Sequence, residues 1–384
     1  DVDVAERTYA TVLREFSESL TGQAIQRATR QRYPVEVLES EGRYCLLLWS
    51  QGKILRAMAE LHDTYQNCLR EGMPTEPLQP IVQSVVPDFM RRALELGKPG
   101  EAIQAWRTYQ HLMSDAAVRR NCAEPLSLAL EQLGLYEDAL AELDRAEGTP
   151  TARMVVRRAG LMTQLGRHTE ARELLERPLP APASAAQQAE ADLLLARTYE
   201  SLDMPLAAAQ AYQRVAQSPG AVPALRGQMI VTAQRLYREE GLPMQTIELG
   251  VQALMLEAAT AASDGSAAWD GPTAAAIRLS LAQAYFDTGD YERAAVILGD
   301  LPALPATDDD LRGAALVLLA GAYQRLEQED RAAETCTTIM DDTTIPQFYR
   351  EQARQLREIL QWNADNPRWA VAMPAEDPAE RMTP

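Results

Sequence analysis

The fold is decided by a short stretch that occurs twice, as QLGLYEDA over residues 132–139 and as DTGDYERA over residues 287–294. In both copies a helical pattern ends at a glycine, a tyrosine follows two positions later, and an alanine stands five positions after the glycine. A glycine at the end of a helix permits the left-handed backbone conformation that reverses the chain. The stretch therefore predicts a helix, a tight turn and a second, antiparallel helix.

The same arrangement recurs along most of the chain at a period in the mid-thirties. Aligned on the turn, seven units have their turn positions at Gly97, Gly134, Gly166, Asp203, Gly241, Gly289 and Glu327. An earlier and weaker unit is predicted to turn at Gly52, with Ala57 five residues later and a long second helix through Cys68.

Two series of residues indicate how the paired helices pack. Five residues after the turn stand Ala102, Ala139, Ala171, Ala208, Thr246, Ala294 and Ala332. Four residues before it stand Ala93, Leu130, Met162, Tyr199, Tyr237, Tyr285 and Tyr323. A small side chain allows two helices to cross closely, and a bulky one fills the adjoining space.

This pattern resembles the tetratricopeptide repeat (TPR) family in its Gly-x-Tyr-x-x-Ala turns, its tyrosine four residues before the turn and its period. The resemblance covers roughly residues 38–341. It implies an all-α fold, a right-handed α-α superhelix or TPR-like solenoid of about seven to eight helix-turn-helix units with capping helices. The chain departs from the family at Pro99, Pro205 and Pro243, which replace the aromatic residue after the turn, and at Gln234, where the family has Gly or Ala.

The domain organisation follows from the repeats. We expect N-terminal capping helices over 1–37, a divergent helical pair and Pro-rich connector over 38–81, and the repeat array over 82–341. A C-terminal capping helix over 342–362 and a Pro-rich acidic tail over 363–384, disordered or loosely packed, complete the chain. The longest spacing contains an insertion over 259–272, which we expect to be an exposed loop; the alternative makes Trp269 a contact residue.

Composition excludes several functional classes. The 384 residues carry a net charge of −18, which disfavours nucleic-acid binding, and no apolar run is long enough to cross a bilayer. Cys45, Cys68, Cys122 and Cys336 lack the spacing of a metal site and are expected to be buried thiols.

Lys53 and Lys98 are the only lysines among 37 basic residues, which, with the alanine excess, is typical of a high-GC bacterium. The missing initiator Met favours an extracytoplasmic location after removal of an anchor or signal.

The sequence contains no recognisable catalytic or phosphate-binding motif. Its three histidines are His62, His111 and His168, and the last occupies a repeat position usually filled by a core aromatic residue. Asp308–Asp310 precedes a helix and is interpreted as an N-terminal cap rather than a metal site. We therefore expect a protein that is not an enzyme and that has no cofactor and no metal.

The family resemblance predicts a binding groove. In the family the residue six before the turn generally faces the concave side, and here those residues are Arg91, Leu128, Gly160, Arg197, Arg235, Gln283 and Gly321. With neighbouring positions, the predicted partner-binding residues are Arg91, Asn121, Arg153, Arg157, Arg197, Arg235, Arg238 and Gln283. Arginine forks suit an extended acidic peptide or a C-terminal carboxylate. The alternative is that they pair with Glu124, Glu131, Glu190, Glu200 and Glu239.

Two functions remain open. The first is a scaffold that binds a partner protein or peptide in the groove. The second is a structural subunit of a bacterial envelope or organelle assembly that self-associates or docks by its ends, so that a homo-oligomer is expected.

Overall fold

The structure is a computed structural model that describes residues 20–366 except 33, 147, 265–267 and 302–307. Within these residues the regular structure consists of eighteen α-helices and two short 3₁₀ turns, without a β-strand. The helices are α1 (Leu20–Arg32), α2 (Pro34–Ser50), α3 (Ile54–Glu71), α4 (Gln79–Glu95), α5 (Pro99–Tyr109), α6 (Ala116–Gln132), α7 (Tyr136–Arg145), α8 (Ala152–Gln164), α9 (His168–Leu175), α10 (Ala185–Ser201), α11 (Pro205–Gln217), α12 (Pro223–Glu239), α13 (Pro243–Asp264), α14 (Gly271–Asp287), α15 (Tyr291–Asp300), α16 (Asp309–Arg325), α17 (Glu329–Asp341) and α18 (Gln347–Asp365).

The predicted helix-turn-helix units are confirmed. From α2 to α17 the helices follow one another as eight pairs, an A helix and a B helix in each, with α1 before them and α18 after them. The all-α helical-repeat class predicted from the sequence is therefore correct for the part of the chain that the structure describes.

Every predicted turn residue has a left-handed backbone. The six glycines at Gly52, Gly97, Gly134, Gly166, Gly241 and Gly289 have φ between 69° and 82°. Asp203 and Glu327, the two turn positions without glycine, are the only non-glycine residues at positive φ in the described ranges, at 56° and 59°. The backbone geometry thus agrees with the sequence alignment at all eight turns, while Gly72 and Gly148, which also have positive φ, lie between one helix pair and the next.

The turns share one hydrogen-bond pattern. At Gly289 the backbone N–H donates to the Phe286 carbonyl at 3.0 Å, and the N–H of Asp290 donates to the Tyr285 carbonyl at 2.8 Å. This pair of bonds is the Schellman motif, which satisfies carbonyls at the end of a helix. The residue four before each turn is therefore the capped carbonyl as well as a packing residue.

The small residue of each unit lies fully inside the helix pair. Ala57 and the residues predicted at this position, Thr246 included, all have an exposed fraction of 0%. The residue seven before each turn, on the A helix, is buried as well; it is Cys45, Met90, Ser127, Ala159, Ala196, Gln234, Ala282 or Ala320. Close approach of the two helices at this point fixes their relative position in every unit.

In the α12–α13 pair a larger residue on one helix is compensated by a smaller residue on the other. Gln234 is fully buried, and its Nε2 lies 3.4 Å from the Thr246 carbonyl oxygen. A Cβ added to Gly250 would lie 2.7 Å from that Nε2 and 3.0 Å from the Leu281 side chain. The large Gln234, which departs from the family, is therefore accommodated because Gly250 has no side chain.

A second series of small residues fourteen before the turn escaped the sequence analysis. Ala152, Ala189, Gly227, Ala275 and Gly313 are all buried. A Cβ at Gly227 would lie 3.0 Å from Trp269 Cε3, and one at Gly313 would lie 2.5 Å from Tyr349 Cδ2. Since Trp269 precedes α14 and Tyr349 lies in α18, this series provides the space in which the next unit packs.

The expectation of an exposed loop over 259–272 is wrong. Helix α13 continues to Asp264, and Trp269 is buried in the hydrophobic core between α12 and α14. The reason is the missing side chain of Gly227, which leaves room for the indole against α12. Trp269 is a core residue in this structure.

The ends of the helices differ in part from the segment boundaries expected from the sequence. Helix α18 begins at Gln347 and extends to Asp365, three residues beyond the predicted cap, while the boundaries predicted at 37 and 81 fall inside α2 and α4. Asp308 caps α16 by accepting from the Asp310 N–H, as expected. Residues 1–19 and the predicted tail beyond 366 lie outside the described residues.

The four cysteines are buried, as predicted, and form no disulfide. Burial raises the pKa of Cys45 and Cys122 to about 12 and that of Cys68 and Cys336 to about 11. These thiols are therefore neutral packing residues.

The chain divides into two compact units, Asp1–Leu174 and Leu175–Pro384, called unit 1 and unit 2 below. The division falls in α9, at a point that the repeat pattern does not mark. Unit 1 contains α1–α8 and most of α9, and unit 2 contains α10–α18.

We expect Gly289→Ala to lower the free energy of unfolding by about 1 kcal/mol, because alanine resists the left-handed conformation. Gly299→Ala is the matched control, since Gly299 lies in α15 of the same helix pair and neither position has a neighbour within 4 Å of an added Cβ. The control should raise stability by about 0.5 kcal/mol. Chemical denaturation measures both, and equal effects would contradict the turn geometry.

We expect Gly250→Ala to destabilise the protein by about 2 kcal/mol, because its methyl group overlaps Gln234 and Leu281. In a Gln234→Ala background the loss should shrink by about 1 kcal/mol, since one of the two overlaps is removed. The four proteins of this double-mutant cycle are compared by denaturation. Additive effects would show that the two residues do not share the space.

Candidate protein-binding surface

Three of the predicted binding residues come together on two A helices of unit 2. Arg197 lies on α10, and Arg235 and Arg238 lie on α12, all three with exposed side chains. With Glu200, Tyr212 and Glu239 they form the group that we call the arginine cluster. It contains three guanidinium groups and two carboxylates.

Glu200 is the point at which three helices meet. Its carboxylate accepts a hydrogen bond from the Tyr212 hydroxyl of α11, and Arg235 Nη2 lies 3.8 Å from its Oε1. Arg235 also donates from Nη1 to both oxygens of Glu239, at 2.9 Å and 3.0 Å. Glu200 therefore links α10, α11 and α12.

The electrostatics of Tyr212 place both arginines near its hydroxyl group. Burial raises the pKa of Tyr212, and the hydrogen bond to Glu200 raises it further, while the positive charges of Arg197 and Arg235 oppose the rise. Tyr212 thus stays protonated and donates to Glu200. The hydroxyl holds that carboxylate at the centre of the cluster.

Arg197 and Arg238 differ from Arg235 in having no ion pair among the described residues. Their guanidinium groups are exposed. An arginine can donate two parallel hydrogen bonds to one carboxylate. Both side chains therefore keep this capacity available for a carboxylate from outside the chain.

In unit 1 the predicted arginines are paired. Arg91 contacts Asp88 on its own helix. Arg153 lies 3.2 Å from Glu124 and Arg157 lies 2.7 Å from Glu131, so both join α8 to α6. The alternative that the arginines pair with glutamates on the chain therefore applies to Arg153 with Glu124 and to Arg157 with Glu131. It applies in unit 2 to Arg235, which pairs with Glu200 and Glu239. Asn121 is exposed on α6.

The same helix face becomes less polar further along unit 2. Gln283 on α14 donates to Asp287 at 2.8 Å. Gly321 on α16 leaves the Phe286 ring beneath it, 3.6 Å from where a Cβ would be. Leu279 and Leu318, about one turn earlier on these helices, are half-buried. The arginine cluster is thus followed in the chain by A helices on which half-buried leucines lie close to this face, beside the polar Gln283.

The bridging roles of Glu200 and Tyr212 were missed from the sequence. Glu200 was named only as a possible salt-bridge partner, and Tyr212, which stands nine residues after the turn at Asp203, was not named among the candidate residues. A tyrosine there, in place of the leucine of Leu143, Leu175 and Leu298, was the available signal. It marks a buried aromatic ring whose hydroxyl needs a partner.

Metal sites and membrane spans are two further possibilities for the described ranges. No group of three or more His, Cys, Asp or Glu side chains there could hold a metal ion. None of the helices in these ranges is both long enough and apolar enough to cross a bilayer. His168 begins α9 and is half-buried.

The eight helix pairs, their left-handed turns and the buried small residue after each turn decide the repeat type. The chain folds as an all-α helical-repeat protein whose helix pairs resemble TPR units. Its departures, such as Gln234 with Gly250, preserve the packing volume rather than the consensus residues.

Comparisons with known proteins give only distant likenesses. No protein-family model matches the chain, and no curated protein does. A tetratricopeptide repeat protein from Parabacteroides merdae is 15% identical, with 73% of this chain and 99% of that chain covered and a TM-score of 0.34. A signal-transduction ATPase with a tetratricopeptide repeat sensor from Pyrococcus horikoshii is 14% identical, covering 84% and 49%, with a TM-score of 0.37. The P58(IPK) TPR domain is 13% identical, covering 94% and 99%, with a TM-score of 0.28. Likenesses of this strength say nothing about partners.

We expect Arg197→Ala and Arg238→Ala to change the free energy of unfolding by less than about 0.5 kcal/mol, because no ion pair is lost. Arg214→Ala is the contrast within unit 2. Arg214 Nε donates at 2.8 Å to Asp192, which is buried, so its removal should cost about 1–3 kcal/mol. Denaturation of the three variants tests this, and a large loss for Arg197→Ala would mean that this arginine is structural.

Proposed function

We propose that the protein is a non-catalytic scaffold that binds an acidic segment of a partner protein on the A-helix face of unit 2. The observation that carries the proposal is the pair of exposed arginines, Arg197 and Arg238, without ion pairs among the described residues. They lie beside Arg235 in a chain whose net charge is −18. An exposed positive group in an acidic protein attracts carboxylates selectively, because the surrounding surface repels them.

The geometry supports binding by exchange of partners. Exposed ion pairs contribute only about 0–1 kcal/mol, so Arg235 can release Glu239 at little cost when a ligand carboxylate arrives. Hydrogen bonds to charged groups contribute about 1.5–3 kcal/mol where water is excluded. Tyr212 keeps Glu200 in place meanwhile, since it donates to that carboxylate from the buried side.

The chemistry of the partner follows from the two parts of this face. Carboxylates are expected to lie against the arginine cluster. Apolar side chains are expected against α14 and α16, where Leu279 and Leu318 are half-buried and Gly321 gives access to Phe286. The proposed ligand is therefore an acidic peptide segment with at least one bulky apolar residue.

The test uses a fluorescent peptide of glutamate and serine with one central leucine. Arg197→Glu with Arg238→Glu should weaken its binding about tenfold or more, because both attractive charges become repulsive. Arg107→Glu with Arg357→Glu is the matched control, since both are exposed arginines without an ion pair among the described residues and the same amount of charge is reversed. Fluorescence anisotropy measures the affinities. Equal weakening by the control would refute the cluster as the binding site.

A second candidate function is a self-associating structural subunit, and one observation favours it. Phe348, Ile359 and Trp362 of α18 are exposed. They are spaced 11 and 3 residues apart, which places them on one face of the helix. An apolar face of this kind at a terminal repeat favours contact with a second copy of the chain.

This second function predicts a concentration-dependent oligomer of the isolated chain. Ile359→Asp should dissociate it, because a carboxylate cannot be buried in an apolar contact without a partner. Val296→Asp on α15 is the control, as Val296 is exposed outside that face. Sedimentation velocity measures the mass. A monomer at all concentrations would exclude this candidate and leave the scaffold.

A further inference from the structure

A shallow apolar pocket lies at the edge of unit 2, where α10 turns into α11 and α12 ends. Its volume is about 330 Å³, and it is lined by Met204, Pro205, Leu206, Ala207, Gln210 and Glu240. These residues belong to the helix ends beside the turns. None of them belongs to the arginine cluster.

The pocket is bordered by flexible apolar side chains that face solvent. Met204 is 38% exposed and Leu206 is 40% exposed, although they stand at the start of a well-formed helix. Methionine and leucine in such positions adapt to ligands of different shape. The exposure is therefore suited to an apolar side chain from another molecule.

Of the eight turns, only those of Asp203 and Gly241 have apolar residues at both the first and the third position after the turn; Leu55 and Leu135 are single apolar residues at theirs. At the turns of Gly289 and Glu327 these positions carry Asp290, Glu292, Gln328 and Asp330. Acidic residues are favoured there because they face the positive end of the B helix. The turns of Asp203 and Gly241 instead carry Met204, Leu206, Leu242 and Met244, and Met244 is 65% exposed. Two consecutive turns have thus replaced a stabilising charge with apolar surface.

The charges around the pocket are negative. Asp203 and Glu240 are exposed, and neither carboxylate has a hydrogen bond or an ion pair within the described residues. Arg238 precedes Glu240 by two residues, which places its side chain about 200° away around the helix axis. Since the whole chain is acidic, the field at this edge favours a cationic ligand.

We propose that this pocket, which we call the methionine edge, is a second docking site for a basic amphipathic segment of a partner protein. One apolar side chain of the segment enters between Met204 and Leu206, and its lysines or arginines lie against Asp203 and Glu240. Helical segments present apolar anchors on one face and charges beside them, which matches this arrangement. The site takes the opposite charge from the arginine cluster, so it stands or falls independently of the proposed function.

The first experiment locates the site with a synthetic peptide of leucine and lysine, about five helical turns long, in an amphipathic pattern. The protein is labelled with ¹³C at the methionine methyl groups and titrated. The Met204 signal should shift, while the signal of Met255, which is 67% exposed on α13 outside the pocket, should stay in place. Equal shifts at Met204 and Met255, or none at Met204, would overturn the proposal.

The second experiment separates apolar from charge effects by affinity measurements with the same peptide. Leu206→Asp should weaken binding about tenfold although it adds a negative charge, because the apolar contact is lost. The substitution should not disturb folding, since an aspartate in the first turn of a helix is favourable. Val296→Asp, at a side chain that is 69% exposed on α15, should change the affinity less than about twofold.

The charge is tested with Glu240→Lys, which should weaken binding about fivefold, against Glu292→Lys, which should change it less than about twofold. A leucine and glutamate peptide of the same pattern should not bind at this site. Equal effects of Glu240→Lys and Glu292→Lys would show that the peptide responds only to the net charge of the protein. A wild-type dimer that Leu206→Asp dissociates would show that a second copy occupies the edge, and either result would overturn the proposal.

Discussion

The close contact of the two helices in each pair is the constraint on which the structure depends. A left-handed residue ends each A helix, and five residues later a fully buried small side chain brings the B helix against it. The turn fixes the direction of the second helix, and the small residue fixes its distance. Gln234 shows that the combined side-chain volume at the contact is what must be kept. Its larger side chain fits because Gly250 has no Cβ opposite it. The total volume at the contact matters more than the residue type.

This division of roles leaves the outer faces of the A helices and the turn edges free to vary. Within unit 2 one face carries Arg197 and Arg238, which have no ion pair among the described residues, and Arg235, whose exposed ion pairs are weak enough to be exchanged for another carboxylate. The turn edge of the same unit carries exposed Met204 and Leu206 beside Asp203 and Glu240, whose carboxylates have no partner within the described ranges. The ligands proposed for the two surfaces have opposite charges, and neither surface disturbs the helix-pair contact beneath it. A repeat protein can therefore present different binding chemistry on one rigid framework.

The predictability of the structure varies with the range of the interaction. The turns were predictable at all eight positions, even at Asp203 and Glu327, because helix periodicity and the alanine five residues later fix the register without a glycine. The arginines of the candidate site were named from the family resemblance, but Tyr212 was not, because its hydrogen bond to Glu200 joins residues on two helices. Trp269 was assigned to a loop, because its packing partner Gly227 lies 42 residues earlier and a glycine inside a helix gives no local signal of what will cover it.

The sequence by itself determined the helix pairs, their turns, the buried thiols and the acidic character of the chain, since each depends on residues within one or two helical turns or on composition alone. Only the tertiary structure decided which arginines are paired, that Gly250 compensates for Gln234, that the indole of Trp269 is in the core, and that Met204 and Leu206 border a pocket with Glu240. The physical reason is that volumes and charges are balanced between side chains of different helices. The repeat period predicts which helices become neighbours. It does not predict which side chains of those helices contact one another, and the balance depends on these contacts.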